Sequence, residues 1–385
     1  MTITAGHYSA RVAAVAVALV QDACQAEAPR GENVLNRLTE SSGLAAAAMT
    51  VTAIMPVYNG GGTLRQSLEP LLAMRRDDEI GEIIVVDDGS DDDTAAIAAA
   101  AAVTVVKSGG RLGPGAARNV AAAMATGDIL WFVDADVVVH ADSARVLVDA
   151  LQRTGAAAVL GTYDDDPPAA NFLSQYKNLV HRYHHSHAAG DIDTFWAGCG
   201  AIRRQVFIEA GGFDAAQYPH SSIEDIELGL RLRERGLRIH LAPALLGTHL
   251  KEWRLANLVH TEIFRRALPW SRLIVAHGWW SSTLNMDYGE RLRALLAVCC
   301  LFELGLAAAR LSPLWLTLTM LAAVAAANAR LFTFFRRRRG TLFAIGGVLY
   351  QQLYYLYSSA AFACCLIAHR CSAVRQRFDR RADAV

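Results

Sequence analysis

The hydrophobic residues of this chain fall into two regimes. Up to about residue 270, short, mostly apolar runs are separated by turns rich in Gly and Asp; beyond it, long apolar runs are broken by arginines. The short runs lie at 51–56, 82–86, 103–106 and 129–133. Each reads as a short strand, and 129–133, which has no polar residue, reads as one buried on both faces, the signature of a parallel sheet. Between them, the Ala-rich stretch 94–102 is a helix by propensity, and the Gly/Pro loop 109–115 leads into another helix from near Ala116. Thr63 with Gln66 three residues on stands as a capping box for the helix after the first strand. Strand and helix in alternation predict a doubly wound α/β domain.

The later pattern predicts helices at a membrane. Residues 294–309 are apolar apart from Glu303 and 314–329 apart from Asn328, with Ser312-Pro313 as the turn of a hairpin. Residues 341–368 are long enough to span a bilayer, although Gln351 and Gln352 near the middle suit a re-entrant or interfacial segment. Residues 264–270 mix cations and aromatics as interfacial helices do, and Trp253 suits an interfacial anchor. The expected division is a poorly ordered extension over 1–48, a catalytic domain over 49–270, and interfacial and transmembrane helices with a basic tail over 271–385.

Charge refines this picture. The formal net charge is zero, so nothing draws the chain toward nucleic acid in general. Acidic clusters lie in the first half, whereas Arg336 to Arg339 and a basic tail mark the last third. The positive-inside rule then expects a multi-pass protein of the cell's inner membrane with its catalytic domain in the cytoplasm. The seven cysteines show neither metal-ligand spacing nor a disulfide framework. His181 and His185 stand one helical turn apart, but no Cys or carboxylate completes a zinc site, so a surface or acceptor-groove role is expected for them and for His184 and His187.

Candidate chemistry gathers where the apolar runs end. Three loops leave the same edge of the predicted sheet, at Tyr58, at Asp87-Asp88 and at Asp134-Ala135-Asp136. Ligands of open α/β sheets bind at this carboxyl edge. If the fourth strand runs through Asp136, Asp134 and Asp136 share a side and face one hard cation. An aromatic face, polar carboxylates and a cation site together suit a nucleoside diphosphate. No Gly-x-Gly-x-x-Gly follows the first strand and no Walker A loop is present, which disfavours a dinucleotide fold and a P-loop enzyme. The run Asp91 to Asp93 is expected to solvate and cap the following helix.

Ile54-Met55-Pro56-Val57-Tyr58-Asn59, Val85-Val86-Asp87-Asp88-Gly89-Ser90, Gly113-Pro114-Gly115-Ala116-Ala117-Arg118-Asn119 and Asp134-Ala135-Asp136 occur in this order. Together they resemble the family 2 inverting glycosyltransferases of GT-A fold, over roughly residues 50–270. The resemblance implies a UDP- or GDP-sugar donor, a Mg²⁺ or Mn²⁺ ion, and a lipid-linked or membrane-proximal acceptor. It implies that Tyr58 and Asp88 hold the nucleobase, with Pro56 and Val57 shaping its pocket. Arg118 would lie near base or phosphates, Asp134 would contact ribose or a metal-bound water, and Asp136 would be the main metal ligand. Residues 196–200 are similar to the segment lining the donor-sugar pocket. Glu224-Asp225 looks like the family's catalytic motif at a helix start, with Asp225 as general base and Glu224 beside it. His249 is a possible third metal ligand and Lys251 a phosphate contact. The alternatives are a polysaccharide-chain transferase and a non-catalytic membrane protein of the same fold.

Overall fold

The computed structural model describes residues 49–278 and 283–382, and the expected extension over 1–48 lies outside them. Two compact units divide the chain: one holds the residues up to Ala169 with His185–Lys251, the other Ala170–His184 with everything from Glu252 onward. The division therefore falls at Lys251/Glu252 rather than near residue 270.

The first unit is built on one mixed sheet. Its strands are β1 (Val51–Val57), β2 (Glu82–Asp87), β3 (Thr104–Lys107), β4 (Ile129–Val133), β5 (Val137–Val139), β6 (Ala158–Tyr163), β7 (Gly190–Ile192), β8 (Cys199–Arg203) and β9 (Ile239–His249). They lie in the order β3-β2-β1-β4-β8-β6-β9-β5, with β7 also paired to β9. The half from β3 to β4 is parallel, as the apolar runs require, while β8 enters antiparallel to both β4 and β6. Helices α1 (Leu64–Arg76), α2 (Thr94–Ala100), α3 (Pro114–Met124) and α4 (Ser143–Thr154) connect the early strands.

Both faces of β4 are covered, which explains its unbroken apolar run. Trp131 packs with Leu64, Leu68 and Leu147 on one side. On the other, Phe132 meets Phe207 and Phe213 with ring centroids 5.4 and 5.3 Å away. Each fully buried side chain of this size contributes roughly 1.5–3 kcal/mol of transfer free energy. Asp128 secures the entry of the strand by accepting from the Thr50 N–H and hydroxyl at 3.0 and 2.8 Å.

The capping box expected at Thr63 does not form. The Thr63 hydroxyl turns back to the Gly60 carbonyl at 3.5 Å instead of capping α1. Before α2, Asp92 rather than Asp93 satisfies an exposed amide, accepting from Thr94 N at 3.0 Å and from Gly61 N at 2.9 Å.

Helix α5 (Phe172–His187) begins within the second unit, whose other elements are α8 (Leu255–His260), a π-helical segment (Thr261–Ala267), α9 (Leu268–His277), α10 (Tyr288–Ala308), α11 (Leu314–Ala327), α12 (Ala329–Arg339) and α13 (Thr341–Ala382); α6 (Arg204–Glu209) and α7 (Glu224–Glu234) belong to the first. The helical core gathers Tyr176, Leu179, Trp253, Leu258, Phe335 and Tyr350. Trp253 is 4% exposed, so it is a core residue and not the expected interfacial anchor. Buried polar pairs tie the helices: the Tyr176 hydroxyl donates to Gln351 at 2.5 Å, Lys177 pairs with Glu262, and Ser312 and Thr317 donate to Glu303 at 2.6 and 2.9 Å.

No described helix is by itself long and apolar enough to cross a membrane. This corrects the expectation for 341–368: α13 has 42 residues, but its glutamines and tyrosines dilute the apolar run. Helices α11 and α12 meet the length and composition requirement only together, and they are bent by 61° at Asn328.

Candidate active site

The fourth strand stops at Val133, one residue short of the first aspartate. Asp134 to Val137 form a tight turn, with the Val137 N–H donating to the Asp134 carbonyl at 2.9 Å, and β5 begins at once. The expectation that both carboxylates lie on one side of a continuing strand therefore fails. The turn sends them to different partners.

Asp134 accepts from the Arg118 guanidinium at 2.6 Å. Arg118, on α3, is 4% exposed, and its other terminal nitrogen donates to Glu224 at 3.3 Å. Burial disfavours its charge, but Asp134, Glu224 and Asp225 outweigh burial and hold its pKa above the ordinary value. Both terminal nitrogens being engaged with carboxylates, Arg118 joins the donor loop to the α7 motif rather than standing open to a phosphate. Burial raises the pKa of Asp134, and the neighbouring Asp136 charge adds to this, while Arg118 opposes both.

Asp136 faces His249 instead, with its Oδ2 3.7 Å from the His249 Nε2. That is too long for a good hydrogen bond and short enough for both atoms to share a cation. Burial works against the Asp136 charge, but His249 and Lys251 prevail and hold it below the usual carboxylate range. His249 is the last residue of β9 and pairs in register with Val137, which places it beside the turn. Among the described residues no cluster of three or more His, Cys, Asp or Glu side chains surrounds a metal position. Asp136 and His249 thus form a two-donor set of carboxylate oxygen and imidazole nitrogen. Such a set suits Mn²⁺, and also Mg²⁺, which usually takes one or two carboxylates and completes its shell with phosphates and water.

Asp88 is 4% exposed and holds the loop before α3. Its Oδ1 accepts from the Ser108 hydroxyl at 2.7 Å and Leu112 N at 2.9 Å, and its Oδ2 accepts from Gly113 N at 2.8 Å. Gly113 has φ +90°, and a Cβ there would lie 2.3 Å from the Pro219 carbonyl, so only glycine fits. The loop so fixed brings Arg111 over the Tyr58 ring, 4.1 Å from its centroid, and Tyr58 is 38% exposed. Pro56 and Val57 end β1, paired with Val86 and Asp87 where pairing to β4 has already stopped at Ile54. The lost N–H of Pro56 is therefore tolerated at this strand end.

The Glu224-Asp225 pair opens α7, and its two members are unlike. Glu224 is 4% exposed, bound by Arg118 and by Ser222 N at 2.8 Å. These bonds are those of a carboxylate that fixes the start of α7 against Arg118. Asp225 is only partly buried and accepts from Ala197 N at 3.1 Å. That bond anchors the carboxylate to the small-residue stretch before β8.

One residue on this side escaped the sequence reading, and another lies elsewhere than expected. Tyr163, at the end of β6, stacks on His249, and the apolar run ending in it was the available signal. His185, expected at a surface or in an acceptor groove, is not at the surface: it is 6% exposed, with its Nδ1 3.0 Å from the Gly161 carbonyl and its ring at the edge of Trp196.

Residues 52–211, under half of the chain, match the model of glycosyl transferase family 2. No curated protein matches the sequence. Among solved structures, the chain is similar to the mannosyltransferase PcManGT from Pyrobaculum calidifontis, solved with GDP-Man and Mn²⁺. The identity is 20%, the TM-score 0.52, and the match covers 91% of this chain and 99% of that one. It is also similar to glucosyl-3-phosphoglycerate synthase from Mycobacterium tuberculosis, at 20% identity and TM-score 0.42, over 65% of this chain and 87% of that one. The first likeness shows a shared fold.

Proposed function

Given a chain that carries a family 2 glycosyltransferase domain, we infer that it moves a sugar from a nucleoside-diphosphate donor to a hydroxyl of a lipid-linked or membrane-proximal acceptor, with Asp225 as general base. The observation that carries this reading is the bond of Arg118 to both Asp134 and Glu224, which joins the turn where Asp136 faces His249 to the helix start that carries Asp225. That PcManGT was solved with GDP-Man and Mn²⁺ supports a nucleotide-sugar donor and a divalent ion.

Tyr58, Pro56 and Val57 shape the base pocket, and Asp88 keeps the 108–113 loop folded beside it. Asp134 holds Arg118 and faces the donor; Asp136 and His249 hold the metal, and Lys251 adds positive charge near the phosphates. A bound Mg²⁺ or Mn²⁺ supplies compensation for the charge that develops on the departing diphosphate. Asp225 takes the acceptor's proton as its oxygen attacks the anomeric carbon opposite the leaving group, which inverts the configuration. A positioned base of this kind contributes about 10²–10⁴-fold to rate.

The second unit supports a membrane location. Leu292, Leu295 and Phe302 on α10 and Leu314, Trp315 and Leu318 on α11 are exposed at helical spacing, and Arg336 and Arg337 are exposed at the end of α12. Apolar stripes with arginines beside them suit a bilayer with anionic headgroups, with the catalytic domain on the cytoplasmic side. A lipid-linked acceptor follows from that location. The chain lacks a Gln-x-x-Arg-Trp motif, which favours single transfer over processive polymerisation.

Incubating the detergent-solubilised protein with radiolabelled UDP- and GDP-sugars and membrane lipids tests this. Label passing into the lipid phase from one donor, and failing to do so with Asp225→Asn, is the expected result. Label appearing only in precipitable polysaccharide would favour the chain-extending alternative, and no transfer from any donor would contradict the reading.

A further inference from the structure

His249 is fixed in place by more than its strand. Its imidazole lies parallel to the Tyr163 ring, 6° apart in plane and 4.3 Å between centroids. Tyr163 pairs with Gly247 across β6 and β9, two residues from His249, so both rings stand on one face of adjacent strands. Behind Tyr163, Trp196 presents its ring at 4.9 Å and 83°. Behind Trp196 stands His185, at 5.7 Å and 89°. A Cβ at Gly198 would lie 2.6 Å from the Trp196 ring, so glycine there is what lets the indole lie against the backbone. The next residue after Trp196 is Ala197, whose N–H holds Asp225.

We propose that Tyr163 is a positioning residue for metal binding: its ring sets the plane of the His249 imidazole and so aims Nε2 at the cation shared with Asp136. The proposal rests on the reading of His249 as a metal donor. A strand fixes where a side chain starts and leaves the imidazole plane open, whereas a parallel neighbour at stacking distance fixes that plane. Stacking also occupies the face of the imidazole and leaves the ring nitrogens, at its edge, for ligands. Partners that orient a metal-bound histidine are ordinarily hydrogen-bond acceptors, and their loss weakens metal affinity about 10–100-fold. Here the orienting group is an aromatic face. Because Trp196 backs Tyr163 and adjoins Ala197, the same stack spaces the metal donors from the base.

Mn²⁺ affinity of the full-length protein, read from the free-ion EPR signal with UDP or GDP present, tests the assignment. Tyr163→Leu is expected to weaken Mn²⁺ about 10-fold, and Tyr163→Phe, which keeps the ring, to stay within about 2-fold. His249→Phe keeps the stack and removes the nitrogen; it is expected to weaken Mn²⁺ at least as much as Tyr163→Leu. If Tyr163 acts through His249, the double variant Tyr163→Leu/His249→Phe binds no more weakly than His249→Phe alone. Wild-type affinity in Tyr163→Leu, or losses that add in the double variant, would overturn the proposal. Wild-type affinity in His249→Phe would instead overturn the metal reading beneath it. Thermal melts of each variant separate a loss of folding from a loss of binding, and the Phe rescue separates ring stacking from a general packing effect.

Discussion

Arg118 donates to Asp134 at 2.6 Å from a position 4% exposed, and this contact gives two aspartates of similar appearance different work. Asp134 is bound into a chain of charges that runs through Arg118 to Glu224. Asp136 is turned the other way, toward His249.

Removing the guanidinium leaves Glu224 buried without its partner. Arg118→Met is expected to destabilise the fold by about 3 kcal/mol, in the range for breaking a buried ion pair from one side. Arg118→Lys keeps the charge but cannot reach two carboxylates with the same geometry, so an intermediate loss is expected. Denaturant unfolding of the full chain checks both, and wild-type stability in Arg118→Met would show that the charge chain is not structural.

Asp88→Asn tests the loop. Its carboxylate accepts bonds on both oxygens, and an amide nitrogen in place of Oδ2 would face the Gly113 N–H donor to donor. A cost of about 1–3 kcal/mol is expected from the unpaired amide. The loop 108–113 should exchange its amide hydrogens faster and nucleotide affinity should fall. Unchanged exchange in that loop would contradict the role.

The two members of the α7 motif should separate in kinetics. Asp225→Asn keeps an oxygen for one of its two backbone donors, Ala197 N and Ile226 N, yet cannot take a proton. A loss of about 10²–10⁴-fold in kcat with unchanged nucleotide binding is expected. Glu224→Gln should lower thermal stability more than it lowers kcat, because Glu224 acts through Arg118. The opposite ranking would exchange their roles.

Cys199 offers a pH test. It is fully buried on β8, and burial pushes its thiol from 9.0 up to about 12. The neutral thiol is the form the fold favours. Its contribution is fully present below pH 9 and is lost as pH rises toward 12. Native protein at pH 8 should therefore resist alkylation at Cys199 while the exposed Cys371 reacts. Mass spectrometry of the alkylated peptides reads this, and modification of Cys199 at the rate of Cys371 would contradict its burial.

Much of the sheet was legible because β1, β2 and β4 are buried on both faces, and burial alone dictates apolar runs at those positions. The carboxyl-edge loops followed from the same runs. The resemblance gave Asp134 and Asp136 different roles, but the partner that separates them, Arg118 on Asp134, was not legible, because it depends on where β4 stops. A strand reaching Asp136 and a turn at Asp134 share the same residues, and pairing of β5 with β9 decides between them. Glu224 was expected only to stand beside the base Asp225, and what it does there was hidden for a similar reason. Only the position of Arg118, more than a hundred residues away, shows which carboxylate is covered. Tyr163 drew no notice because a tyrosine ending an apolar run is ordinary, and its meaning lies in the parallel β6–β9 pairing. In the helical unit, hydropathy marked the apolar stretches but not the break at Asn328 that bends α11 from α12.

Asp136, and not Asp134, is expected to carry the metal on which donor binding depends. Calorimetric titration of UDP and GDP into wild type and Asp136→Asn, with and without Mn²⁺, tests it most directly. Mn²⁺ is expected to strengthen binding of one nucleotide to the wild type about tenfold or more, equivalent to about 1.4 kcal/mol, and to have no effect on the folded Asp136→Asn protein. The same Mn²⁺ enhancement in both proteins would contradict it.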